Sequence, residues 1–156
     1  MNLPSLPAPC PPQGVTNCEP EVQSTGSSYV LRNKKKPGNF IQAEITSQGY
    51  FKCYVQNLPK DGTGCPGQWM VQAAWDYFVN DQKVTIKGFR GDWSFGDNLR
   101  TVNTLTAGGA MTLEDACKRS WTYLILANPR GFSRYQLLDS DGTPGNYTDV
   151  QVVFLP

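Results

Sequence analysis

The amino-acid sequence predicts a mainly β protein: an antiparallel β-sandwich or small barrel, with one short helix at about residues 113–120 and an extended Pro-rich N-terminal arm. Three observations predict it. Short alternating or β-branched runs recur along the chain, separated by Gly, Pro, Asn and Asp turns. One segment opens with a helix-capping pattern at Thr112. Residues 1–28 hold six of the twelve prolines and no aromatic residue, Lys or Arg. The expected division is an arm over residues 1–28 and a single β-rich domain over residues 29–156.

In the arm each Pro fixes φ and lacks an N–H. Residues 1–28 are therefore expected to form neither a regular helix nor an interior strand, and to run extended, partly as polyproline II. A segment that cannot build its own core orders by lying on something, either its own domain or a neighbouring subunit. Pro4, Pro7, Pro9, Pro11 and Pro12 are the candidate partner-binding positions.

Beyond the basic run Lys34, Lys35 and Lys36, residues 40–46 alternate. Phe40, Gln42, Glu44 and Thr46 fall on one side, and Ile41, Ala43 and Ile45 on the other. A turn at Ser47, Gln48 and Gly49 and a return over residues 50–58 make a hairpin. Residues 59–67 carry every turn signal and read as a loop. Residues 69–80 fit two periods. Gln68, Gln72, Asp76 and Asn80 recur every four residues, as in a helix, while Trp69, Val71, Ala73, Trp75, Tyr77 and Val79 alternate, as in a strand. The strand is preferred, with residues 84–86 as its return.

Residues 88–98 place Gly88, Gly91 and Gly96 among Phe89, Trp93 and Phe95, and read as a loop or irregular edge that exposes rings. Residues 101–106 read as a short strand. Thr112 caps a helix whose first turn carries Glu114 and Asp115, at the positive end of the dipole. Residues 121–127 read as a strand, 128–131 as a type I turn, 132–138 as the returning strand, 139–145 as a turn and 149–155 as the last strand.

Composition excludes more than it selects. The 156 residues contain no His, which removes Ser-His-Asp and Cys-His nucleophiles and His-ligated metals. The net charge is +1, with no general pull toward nucleic acid or anionic membrane. Neither nucleic-acid binding nor membrane insertion is expected. Glu44, Glu114 and Asp115 are scattered or explained by capping, so no catalytic residue, cofactor or metal is expected. The N-terminal residues have no basic start, and prolines interrupt any apolar run, so a secretory signal is not expected either.

Five cysteines are an odd number, so at least one stays unpaired or pairs between chains. Cys10 and Cys18 are spaced to close a small loop. Cys53 and Cys65 flank a Gly/Pro-rich connection and form a candidate disulfide. Five reduced thiols are the preferred alternative, because nothing marks the chain for export.

The candidate ligand loop comprises Arg90, Asp92, Trp93, Asp97 and Asn98. Arg90, Gly91 and Asp92 form an RGD triplet, which adhesion receptors read as opposite charges held apart on an exposed turn. Trp93, flanked by acids and an amide, suits a ring platform for a sugar. Asp139, Asp141 and Asp149 offer oxygen ligands but lack the spacing of an EF-hand, and a turn explains them. Asn146, Tyr147 and Thr148 fit the N-glycosylation pattern, which without export is a turn-to-strand sequence.

A Pro-rich arm, a compact β-rich body and no catalytic constellation together resemble small structural proteins of virions, especially tailed-phage decoration, connector or tail components. That resemblance implies a non-enzymatic assembly protein that binds other copies of itself and neighbouring structural subunits. It places the protein in a virion assembled in host cytoplasm. The alternative is a secreted carbohydrate-binding or lectin-like module with a glycan on Trp93.

Overall fold

A computed structural model describes residues 5–156 of the chain. It is mainly sheet, with eight strands and a few short helices, and it is not closed into a barrel. The chain divides into two compact units between Ile86 and Lys87. Pro4 lies outside the described residues.

The first unit orders its strands as in the sequence: β1 (Ser5–Leu6), β2 (Pro20–Thr25), β3 (Ser28–Asn33), β4 (Asn39–Ile45) and β5 (Tyr50–Asn57), each antiparallel to the next. The register lines up Val22, Leu31, Ile41 and Val55 across four strands. Alternation buries Val22, Tyr29, Leu31, Ile41, Ala43 and Phe51. Helix α1 (Gly67–Asp76) packs on β3, β4 and β5 and continues as a wider helical turn, Tyr77–Asp81. Phe51 meets Trp75 and Phe78 at ring-centroid distances of 5.2 and 6.1 Å, and Tyr29 meets Tyr77 at 5.3 Å. The Tyr77 hydroxyl donates to the Thr25 carbonyl and ties the helix end to β2. Full burial of such a side chain contributes about 1.5–3 kcal/mol.

Three expectations about secondary structure are corrected in this unit. Residues 69–80 form a helix, not a strand. The buried residues Met70, Val71, Ala74, Tyr77 and Phe78 follow helical spacing, and Gln68, Gln72, Asp76 and Asn80 form its exposed stripe. Residues 84–86 consequently pair with no hairpin strand, and the Val84 N–H instead bonds to the Phe78 carbonyl as the helix ends. The arm is also shorter than expected. Pro20–Thr25 lies between β1 and β3 as an interior strand. Its one Pro stands at the first position, where no ladder N–H is required, and Val22 and Ser24 alternate into the interior. Residues 7–19, with Pro7, Pro9, Pro11 and Pro12, form no strand or helix.

A buried polar node fastens the loops to this sheet. Asn39 Oδ1 accepts from the Cys65 N–H (2.6 Å) and from Asn33 Nδ2 (3.0 Å). Asn39 Nδ2 donates to the carbonyls of Cys65 (3.0 Å) and Gln56 (3.2 Å). Asn33 also donates to the Asn17 carbonyl and accepts from the N–H groups of Glu19 and Lys35. Gly64 passes so close that a Cβ there would stand 2.7 Å from Asn39 Oδ1, at a φ of +97° that disfavours side chains. Cys65 is bonded to Cys18, not to Cys53, and Cys10 is an exposed thiol. The pairing follows from the node, which carries Cys65 to the chain segment just before β2.

The second unit contains β6 (Gly88–Trp93), β7 (Arg134–Asp141) and β8 (Asp149–Leu155), in the antiparallel order β6-β8-β7. Helices α2 (Asp97–Thr106) and α3 (Leu113–Cys117) and a wide helical turn, Thr122–Ala127, complete it. Thr112 caps α3 as expected, accepting from the Asp115 N–H at 3.2 Å, although the helix ends at Cys117.

Residues 101–106 are helical, not a strand. Leu99, Val102 and Thr106 form the buried face of α2, and the Asn103 side chain clasps both backbone polar groups of Tyr147. Residues 121–127 are helical as well, because the Ser120 hydroxyl accepts from the Tyr123 N–H and starts a new turn where α3 stops. Residues 88–93 form a strand instead of a loop, and β7 runs on to Asp141, so the expected turn at 139–145 begins only after it.

The node is open to test by substitution. Asn39→Leu preserves volume but strands both polar groups of Cys65, and should destabilise the protein by about 3 kcal/mol or more in urea unfolding. Cys18→Ala with Cys65→Ala opens a loop spanning 47 positions. By the chain-entropy relation it should cost up to about 4 kcal/mol, read as a fall of roughly 10 °C in the calorimetric midpoint.

Candidate functional site

Strand β7 ends the strand order and has no buried residue. It reads Arg134, Tyr135, Gln136, Leu137, Leu138, Asp139, Ser140 and Asp141. Leu137 and Leu138 are 39% and 37% exposed. The pairing with β8 runs regularly from Arg134↔Leu155 to Leu137↔Val152, then skips to Asp139↔Gln151, so Leu138 forms a bulge.

Cross-strand partners share a face. Tyr135, Leu137 and Ser140 stand with Phe154, Val152 and Val150, while Arg134, Gln136, Asp139 and Asp141 stand on the opposite face. On the first face Tyr123 meets Phe154 at 5.0 Å. Partial burial, and then Cys117 and Glu114, hold the Tyr135 hydroxyl above the ordinary tyrosine range. Burial pushes the Cys117 thiol up to about 12, which keeps it protonated and unreactive at neutral pH. Arg134 Nε donates to the Pro156 carbonyl, and Asp139 Oδ1 accepts from the Ser140 N–H.

A second exposed apolar group lies where α2 begins. Phe95 is 65% exposed, and Trp121 and Leu124 are also exposed. Asn98 Nδ2 donates to Thr122 Oγ1 at 2.9 Å and joins the two segments that carry Phe95 and Trp121.

The expected ligand loop is divided between a strand and a helix start. Arg90 and Asp92 project from the same face of β6, and Arg90 Nε donates to Asp92 Oδ1 at 2.8 Å. The RGD charges are held together on a strand, not apart on a turn. Trp93 is only 6% exposed, so it offers no sugar platform. Its indole folds over Gly91, where a Cβ would stand 2.7 Å from the ring nitrogen. Asp97 pairs with Arg100 within α2.

The basic run is also divided. Lys34 and Lys35 are exposed, whereas Lys36 is buried and donates to Asp61 Oδ1 (2.9 Å) and the Thr63 carbonyl (3.0 Å). A cavity of about 300 Å³ opens beside them, lined in part by Lys35, Pro37, Leu58 and Pro59. Its principal charges, Lys36 and Asp61, are bonded to each other. Hydrogen bonds from Thr63 and then Lys36 hold the Asp61 carboxyl far below the usual carboxylate range.

Sequence reasoning missed β7 as a surface. The signal was present in the adjacent leucines, which break the alternation of a strand and mark a bulge. No protein-family model, curated protein or solved structure matches this chain.

The Asp61 contact predicts a pH dependence. A carboxyl whose folded-state pKa is depressed stabilises the fold above its unfolded pKa, about 4, and loses that contribution as the pH falls. Asp61→Asn should lower the melting temperature at pH 7. It should also flatten the decline in melting temperature below about pH 4, measured by calorimetry across a pH series.

Proposed function

We propose that this chain is a non-enzymatic structural protein that works by assembling with copies of itself and with neighbouring structural subunits, in a virion. The observation that carries this reading is the β7 edge. An edge strand is a template for another chain, and soluble proteins blunt such edges with Pro, charge or a bulge. Arg134–Asp141 has a bulge and charges towards its ends but no Pro, and it leaves two leucines exposed at its centre. The bulge turns away a regular strand, so the edge selects its partner.

The exposed side chains of Phe95, Trp121 and Leu124, on two segments joined by the Asn98–Thr122 bond, support the same reading, since neighbouring exposed apolar side chains mark interaction surfaces. Residues 7–12, anchored downstream by the Cys18–Cys65 bond, supply a second contact element whose prolines lower the entropy lost on docking.

Light scattering after size exclusion tests the reading. The chain, 17.3 kDa as a monomer, should run as a defined oligomer, and deletion of residues 1–12 should reduce its size while leaving the far-ultraviolet circular dichroism intact. A full-length chain that stays monomeric from micromolar to millimolar concentration overturns it.

A further inference from the structure

We propose that β7 pairs antiparallel with β7 of a second copy of this chain, about a two-fold axis between Leu137 and Leu138. This pairing rests on the assembly reading and names the partner of its principal edge. In that register Arg134 faces Asp141 of the second copy, Tyr135 faces Ser140, Gln136 faces Asp139 and Leu137 faces Leu138. Symmetry repeats each pair, so an Arg–Asp pair closes both ends.

The bulge is what makes this register work. Antiparallel partners must project from the same face, and in a regular strand two positions whose numbers add to an odd sum project from opposite faces. In β7 the extra residue at Leu138 reverses that parity. Arg134 and Asp141 share one face, as do Gln136 and Asp139, while Tyr135 and Ser140 share the other. All three flanking pairs are therefore matched in face. A shift of one residue would set opposite faces together, and a shift of two would separate Arg134 from Asp141.

Charge agrees with this geometry. The strand carries its one cation at the first position and its two acids at positions six and eight. Self-pairing in parallel would put like charges opposite each other, whereas the antiparallel register joins opposite ones. The Arg134 guanidinium, anchored through Nε to Pro156, carries further N–H donors for the second copy's carboxylate. The partner surface is thus the same strand in another molecule, an isologous contact that closes on itself.

Charge reversal tests the pairing. Arg134→Glu and Asp141→Arg should each weaken self-association on the order of tenfold, read by sedimentation at a series of concentrations. An equimolar mixture of the two variants should restore it. In the mixed pair one end sets the new carboxylate at position 134 against the new guanidinium at position 141, and the other end keeps the parent's Arg134 and Asp141. Restoration in the mixture requires both variants to be folded, so misfolding cannot imitate it. Variants that associate as the parent does, or a mixture no tighter than either variant alone, overturn the β7 pairing and leave assembly standing through another surface. A parent chain that never associates overturns both.

Discussion

Asn39 opens strand β4, shielded from water, and its amide holds both backbone polar groups of Cys65. Much of the first unit depends on that grip. A buried amide without partners costs about 1–3 kcal/mol for each orphaned group, so the loop before α1 must arrive at Asn39 for the strand to be stable. Once Cys65 is there, Cys18 can reach it, and the chain entering β2 is placed. Asn33 repeats the arrangement one strand away, holding Asn17 and Glu19. Gly64 permits the approach because any side chain at that position would collide with Asn39 Oδ1. The polar groups choose which loop goes where, while the apolar residues around them supply most of the free energy.

The second unit is organised by alternation and its one interruption. Gly91 leaves room for Trp93 to lie across its own strand, which takes the indole out of solvent and makes it a core residue. The same strand brings Arg90 against Asp92, so each satisfies the other. Residues that look functional as a string of letters are thereby absorbed into packing. Two surfaces are left open: the exposed side chains of Phe95, Trp121 and Leu124, and the bulged edge, where alternation fails and both leucines remain exposed.

The parts of this fold that were legible in the sequence are those where one signal dominates. Strand β4 shows clean alternation, and Thr112 with two following acids marks a helix start without competition. Residues 69–80 carried both periods, and only packing against Phe51 decides between them. In α2 the β-branched Thr101, Val102, Thr104 and Thr106 argued for a strand. The helix prevails because Asn103 and Thr106 reach across to Tyr147 and Gly145, contacts that no local pattern reveals. The cysteine pairing was likewise unreadable, since it depends on where Asn39 carries Cys65. Of the expected site, the burial of Trp93 and the pairing of Arg90 with Asp92 were not readable, because both depend on the sheet.

The bond between Cys18 and Cys65 also determines how the molecule carries load. Strands β2, β3, β4 and β5 all lie between the two cysteines in sequence. Tension applied along the chain therefore passes from Cys18 directly to Cys65 and bypasses them. These four strands sit in a mechanically silent ring. Pulling on the chain on either side of the bond can stretch the segments before Cys18 and beyond Cys65, but it cannot unzip the ring while the sulfurs remain joined.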